Sequence, residues 1–238
     1  MIIFAATMAK YVELKVDDGT TMLAWVAEPA AQKTKRGLLV FQEAFGVNEH
    51  IRDVTNRFAA LGFTAIAAEF FHRTTPPKWE GRYDDFPSAM SHLQALKETT
   101  LENDVKAAYG WLKSNSDAGD NIACVGYCMG GRTSFLANSA LPLKAAISYY
   151  GGNIPSLLRR TNKLAGPMLL FWGELDQHIP AEQRNQVTSA MREVKKEYVD
   201  IVFSNADHGF FCDARKSYEP NAARLSWDIT QSFLNARM

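Results

Sequence analysis

The stretch Ile122-Ala123-Cys124-Val125-Gly126-Tyr127-Cys128-Met129-Gly130-Gly131-Arg132 constrains this chain more than any other. A short apolar run enters a Gly-x-Cys-x-Gly-Gly turn and leaves as a helical pattern. A strand that turns abruptly into a helix holds its pivot residue in a strained backbone conformation. It also needs small neighbours two positions to either side, so that strand and helix can approach. Gly126 and Gly130 supply that room, and Cys128 stands at the pivot. The stretch reads as a nucleophile elbow whose nucleophile is a thiolate at the positive end of a helix. The competing reading is a buried cysteine in a glycine-rich turn of a nucleotide-binding fold. That pattern needs Gly-x-Gly-x-x-Gly early in a chain, and this stretch has neither the spacing nor the position.

The rest of the composition is compatible with one soluble globular domain over residues 1–238, at 47% hydrophobic residues and with 26 basic against 26 acidic side chains. Basic residues are scattered, so neither nucleic acid nor an anionic membrane is called for, and a small-molecule substrate is the expected partner. A monomer is favoured. Three cysteines do not make a disulfide framework, which points to a reducing compartment, the cytoplasm. The apolar start Met1-Ile2-Ile3-Phe4-Ala5-Ala6 lacks a cationic flank and is too short for a signal peptide. Residues 1–10 are set aside as an extension, disordered or upstream of a start at Met8. No apolar run approaches the ~20 residues of a membrane helix.

In chain order, Tyr11 to Val16 and Thr21 to Ala27 flank Asp18-Gly19, an antiparallel hairpin signal. Gly37 to Gln42 reads as a buried strand, followed by a loop at Glu43 to Asn48 and a helix from Glu49 to Leu61 closed by Gly62. Phe63 to Ala68 is the next strand, and Glu69 to Pro87 is irregular. Helices are expected from Ser88 to about Glu98, and from Leu101 to Leu112 with Thr100 as N-cap. After the elbow and its helix to Ala140, strands are expected at Leu143 to Tyr149, Met168 to Trp172 and Val199 to Phe203. Gly151 to Gly166 is an irregular connection, and helices are expected at Ala181 to Lys196 and Asn221 to Ala236. The last should bury Leu225, Ile229 and Phe233. Alternating strands and helices imply an α/β fold with a mostly parallel sheet covered on both faces, and binding groups beyond the carboxyl ends of the strands.

Acyl transfer at Cys128 needs a base and a group that orients it, and in such a fold they follow in the order nucleophile, acid, histidine. Asp176 lies just past the Met168 to Trp172 strand, and His208 just past the last strand, so both position and order fit. His178 is the rival base, and Glu174 or Asp207 are rival acids. Asp176 could also be a turn or capping residue. His50, His72 and His92 suit packing or surface roles, Cys124 suits the interior of its strand, and Cys212 reads as an ordinary thiol. No His-x-x-x-His or Cys-x-x-Cys occurs, so neither a metal nor a cofactor is expected. Glu43, at a strand end, could cap the following helix or pair with a surface cation. Beside a thiol, a desolvated carboxylate could instead share its proton.

Together, Gln42-Glu43-Ala44-Phe45-Gly46-Val47-Asn48, Gly126-Tyr127-Cys128-Met129-Gly130-Gly131, the Asp176 loop and the His208 turn resemble the dienelactone hydrolase family, a branch of the α/β-hydrolase fold. The resemblance runs roughly from Tyr11 to the C-terminus. It implies ester or lactone cleavage by a Cys128–His208–Asp176 triad through a thioester acyl-enzyme. It also implies an oxyanion hole from the backbone N–H groups of Ala44 and Met129, with Glu43 contacting the resting thiol. Family members that cleave dienelactones carry an Arg four residues after the histidine, to pair with the substrate carboxylate. Here Cys212 stands there. A second substrate-binding Arg of the family falls in the long loop, where Arg82 and Arg73 are the candidates, with Lys78 and Arg215 as further cations.

Overall fold

The Asp18-Gly19 turn joins strands β1 (Thr7–Lys15) and β2 (Thr21–Pro29) in the computed structural model, which describes residues 7–30 and 34–238. The two strands are antiparallel, with Tyr11 opposite Trp25 and Thr7 opposite Pro29. Residues 7–10 therefore belong to the first strand rather than to an extension. Their side chains are mostly exposed, so no apolar alternation marked them. Met1 to Ala6 lie outside the described residues.

By its internal contacts the chain divides into two units, Met1–Ile122 and Ala123–Met238. In the first, β2 pairs antiparallel with β4 (Thr64–Ala68), which pairs in parallel with β3 (Gly37–Phe41). Every residue of β3 and β4 is buried, as their unbroken apolar runs require. Helix α1 (Glu49–Ala60) begins at Asn48, whose side chain accepts from the Ile51 N–H, and ends at Gly62 with a φ of 88°. Helix α2 spans Phe86–Ala95 and α3 spans Glu98–Asn115.

Helix α3 starts earlier than its apolar pattern suggests. Its N-cap is Lys97, and Thr100 lies inside the first turn with its hydroxyl donating to the Lys97 carbonyl. It also buries Asp104. That choice makes sense only with a partner from elsewhere in the chain.

In the second unit, β5 (Ile122–Tyr127), β6 (Ala146–Tyr149), β7 (Met168–Gly173) and β8 (Tyr198–Phe203) pair in sequence, all parallel. The connections are helix α4 (Met129–Ala140), a 3₁₀ helix over Ile154–Lys163 where an irregular segment was expected, and α5 (Ala181–Glu193). Helix α6 (Pro220–Asn235) closes the chain. Of the three large side chains expected on its buried face, Phe233 is buried, Ile229 is half-buried and Leu225 is exposed. Leu225 is 46% exposed, whereas Ala222, Ala223, Ser226, Thr230, Phe233 and Leu234 are buried. Small residues let the helix approach β7, and the Thr230 hydroxyl lies 2.7 Å from that of Tyr149. Among the described residues no helix is long and apolar enough to cross a membrane.

Candidate active site

Cys128 is the N-cap of α4, at φ 57° and ψ −118°. A non-glycine residue with positive φ costs of the order of 1–3 kcal/mol and persists only where its surroundings hold it. Here the Cys128 N–H donates to the Tyr149 carbonyl at 3.0 Å, extending the β5–β6 pairing into the turn, and the Gly131 N–H donates to the Cys128 carbonyl at 2.9 Å. A Cβ on Gly126 would collide with the Gly130 carbonyl, and one on Gly131 would come within 2.7 Å of the Gly151 Cα. The glycines of the motif are thus spent on close backbone approach. Cys128 is partly exposed, and Met129, next in the chain, is the first residue of α4, so its N–H has no acceptor within the helix.

Asp176 and His208 come from the loops after β7 and β8. Asp176 is buried. One of its carboxylate oxygens accepts from the His178 backbone N–H at 2.8 Å, and the other lies 2.8 Å from His208 Nδ1. A carboxylate can only accept, so Nδ1 carries the proton and Nε2 faces the thiol. Burial opposes charging the His208 ring. The coulombic pull of the Cys128 sulfur and the bond to Asp176 outweigh it and raise the His208 pKa to about 10. The Tyr150 ring meets the imidazole edge-on with centroids 5.1 Å apart. Tyr150 itself has a positive φ of 38°, a feature no sequence motif announced.

The rival residues fall differently. His178 is exposed, with its ring 5.5 Å from that of His208, and it meets Asp176 through its backbone N–H rather than its ring. Glu174 pairs with Arg184, and Asp207 accepts from the His208 backbone N–H. Cys124 is fully buried, and burial pushes its thiol up to about 12, which disqualifies it as a nucleophile at neutral pH. Cys212 is buried as well, and the Arg215 guanidinium packs over Gly209, next to His208.

In the first unit, Glu43 and Ala44 are both buried in the turn between β3 and α1, where Glu43 bridges to Gly46. The Phe45 carbonyl accepts from the Gly81 N–H at 3.0 Å, and the Phe45 ring packs on Tyr83 with centroids 4.7 Å apart. The Tyr83 hydroxyl in turn accepts from Asn48 at 2.8 Å. The long loop thereby fastens the Glu43–Asn48 segment. The two candidate arginines of that loop differ. Arg82 is exposed and pairs with Asp84. Arg73 is engaged by Asp104 through two bonds of 2.8 Å and by Asp18. Lys78 stands with its ammonium 4.7 Å from the centre of the Tyr11 ring.

A parallel sheet with a strained cysteine pivot after β5, an acid after β7 and a histidine after β8 has the layout of an α/β-hydrolase. Comparison with known proteins agrees. The sequence model of the "Dienelactone hydrolase family" matches residues 22–238. A protein from Synechocystis sp. named as a candidate carboxymethylenebutenolidase is 32% identical over 227 residues, covering 90% of this chain and 91% of its own. An Escherichia coli protein of the same name is 32% identical over 200 residues, covering 80% of this chain and 73% of its own. The crystal structure of a candidate dienelactone hydrolase from Klebsiella pneumoniae superposes with a TM-score of 0.87 at 27% identity, covering 97% of this chain and 99% of that one. A dienelactone hydrolase-like promiscuous phosphotriesterase from metagenomic libraries, 23% identical, shares the fold with a TM-score of 0.86. The chain belongs to the dienelactone hydrolase family and is a hydrolase of the α/β-hydrolase fold.

Proposed function

We propose that this protein hydrolyses small carboxylic esters or lactones with Cys128 as nucleophile, His208 as general acid and base, and Asp176 as the group that orients His208. The observation that carries the reading is the Asp176–His208 bond of 2.8 Å in a site where His208 also couples to the Cys128 sulfur. The thiolate adds to the substrate carbonyl carbon, and the oxygen of the tetrahedral adduct is held by the N–H groups of Met129 and Ala44. Its collapse breaks the carbon–oxygen bond, and the departing alkoxide takes the proton from His208 Nε2. A water then attacks the thioester while Nε2 accepts its proton. The thiolate leaves, and the acid product is released. Glu43, a buried carboxylate, is assigned the part of contacting the resting thiol and helping to create the thiolate when substrate binds, the thiol proton passing to His208 Nε2.

The family match runs without interruption through both units, which supports treating residues 1–238 as one functional domain. Names of the curated relatives support a lactone or ester substrate. Because Cys212 stands where dienelactone-cleaving members carry Arg, neutral esters and lactones are the expected preference. Arg82 remains the loop cation assigned to substrate, since Arg73 is tied to two carboxylates. Turnover of p-nitrophenyl esters, together with the rate of Cys128 alkylation by iodoacetamide as a function of pH, tests the proposal. An enzyme gives turnover that Cys128→Ala abolishes. A binding protein gives no turnover, and a redox protein gives alkylation without turnover.

A further inference from the structure

The Asp176 loop is held from beneath by a residue that no catalytic motif includes. Arg184, in the first turns of α5, is 7% exposed. Its Nη1 donates to the Gly173 carbonyl at 3.0 Å and its Nη2 to the Glu174 carboxylate at 2.6 Å. These are the two residues that lead from the end of β7 into Asp176. A planar guanidinium can satisfy two such acceptors at once, which a lysine ammonium matches less well.

The same segment is stitched to the end of β8 and the loop that carries His208. The Glu174 N–H donates to the Phe203 carbonyl at 2.9 Å, and the Leu175 N–H donates to the Ala206 carbonyl at 3.0 Å. A Cβ on Gly173 would collide with that Ala206 carbonyl. Acid loop and base loop therefore meet backbone to backbone at the point Arg184 grips. Two residues further on, Asp176 must stay within 2.8 Å of His208 Nδ1.

We propose that Arg184 is a positioning residue for the base–acid pair: from α5 it pins the start of the Asp176 loop and so sets the Asp176–His208 distance. The inference rests on the Cys128–His208–Asp176 reading above. The groups that bear on the pair are Cys128, the exposed His178 ring beside His208, and Asp207 at the His208 N–H. Those that bear on Arg184 are Glu174 and Asp200. Slackening the loop weakens the hold of Asp176 on the imidazolium, so the thiolate that pairs with it forms at higher pH.

The test measures kcat and KM for p-nitrophenyl acetate, and the pH titration of ultraviolet thiolate absorbance, in Arg184→Met, Arg184→Lys and Arg192→Met. Arg192 is an exposed cation of the same helix and serves as control. The expected result for Arg184→Met is a kcat lowered about tenfold to a hundredfold at little-changed KM, as for a small misplacement of a catalytic group, with the thiolate titration moved to higher pH. Arg184→Lys should fall in between, and Arg192→Met should match wild type. Near wild-type kcat in Arg184→Met overturns the inference. So does a loss of thermal stability with kcat and titration unchanged per folded molecule. If Arg184→Met fails to fold, Glu174→Gln carries the test: a smaller fall in kcat with the same direction of titration supports the proposal, and wild-type behaviour overturns it. Cys128→Ala separates the two readings. Turnover in that variant sinks the proposed nucleophile itself, whereas an inactive Cys128→Ala beside a wild-type-like Arg184→Met sinks only the role of Arg184.

Discussion

The protein holds two histidine–aspartate constellations, and they have opposite characters. In the second unit, His208 Nδ1 is bonded to Asp176 at 2.8 Å and the ring couples to the Cys128 sulfur. In the first, His72 Nε2 lies 4.0 Å from Asp104, a fully buried carboxylate whose charge is met instead by Arg73. The His72 ring is completed by the Thr20 hydroxyl at 3.0 Å and the Glu69 carbonyl at 3.1 Å. Burial depresses the His72 pKa, with the Asp104 charge a smaller opposing effect, whereas the partners of His208 overcome its burial. The Thr20 hydroxyl and amide, with Arg73, hold Asp18 well below the ordinary carboxylate range. Composition is therefore a poor guide to role. What separates the two is where the carboxylate spends its lone pairs. Asp104 gives both oxygens to a guanidinium that ties α3 to the long loop and, through Asp18, to the β1–β2 turn. Asp176 keeps one oxygen for the imidazole.

The largest expected effect breaks the comparison at its centre. Cys128→Ala or His208→Gln should lower kcat for a p-nitrophenyl ester on the order of 10⁴-fold or more. His72→Gln should leave it near wild type, and a dead His72→Gln with an active His208→Gln would reverse the two roles. Asp176→Asn should fall short of that loss, because the orienting acid contributes less than nucleophile or base. Equal activity in Asp176→Asn and wild type, with Asp207→Asn inactive, would move the acid to its neighbour.

In the first unit the expected effect is on stability. Arg73→Met strands the buried Asp104 charge and should cost about 3–5 kcal/mol in denaturant unfolding, with kcat per folded molecule retained. A variant of unchanged stability that loses substrate affinity would instead make Arg73 a substrate ligand. A smaller effect concerns Cys212. An Arg that pairs with a substrate carboxylate contributes about 1.5–3 kcal/mol, or roughly ten- to a hundredfold in preference. Wild type should accept a lactone methyl ester about as well as the matching acid, measured as kcat/KM. Should it already favour the acid a hundredfold, another cation serves that role.

The subtlest difference is one of sign. His208 has a raised folded-state pKa, so its stabilisation is fully present below the ordinary histidine value of about 6.5 and is lost as pH rises through about 10. His72 has a lowered one, so the unfolded chain binds the proton more tightly, and stability is lost as pH falls below about 6.5. Unfolding midpoints across that range should lose their acid-side slope in His72→Gln and keep it in His208→Gln. The same slope in both variants would refute the assignment.

Much of the candidate site was legible before any coordinates. The elbow announces itself because its demands are local: glycines where strand and helix backbones touch, and a reactive side chain between them. Asp176 and His208 were legible from position, since each directly follows an apolar strand and the chain order fits. Elements failed to show where burial did not follow hydrophobicity. The small-residue face of α6, the exposed start of β1 and the buried Asp104 of α3 all carry the wrong polarity for a pattern reading.

By itself, then, the sequence determined the order of strands and helices, the pivot cysteine, and the strand ends at which Asp176 and His208 stand. Each of these is written in neighbouring residues. Only the tertiary structure decided that Asp176 rather than Glu174 or Asp207 meets His208, that Arg73 belongs to Asp104 and Asp18, and that Arg184 grips the acid loop. Those pairings join residues that are not neighbours in the chain, from ten or eleven positions apart for Arg184 to 55 for Arg73 and Asp18. A buried charge reveals its partner only when the fold has brought both out of water, where each must find the other or stay unpaired at a cost of several kcal/mol.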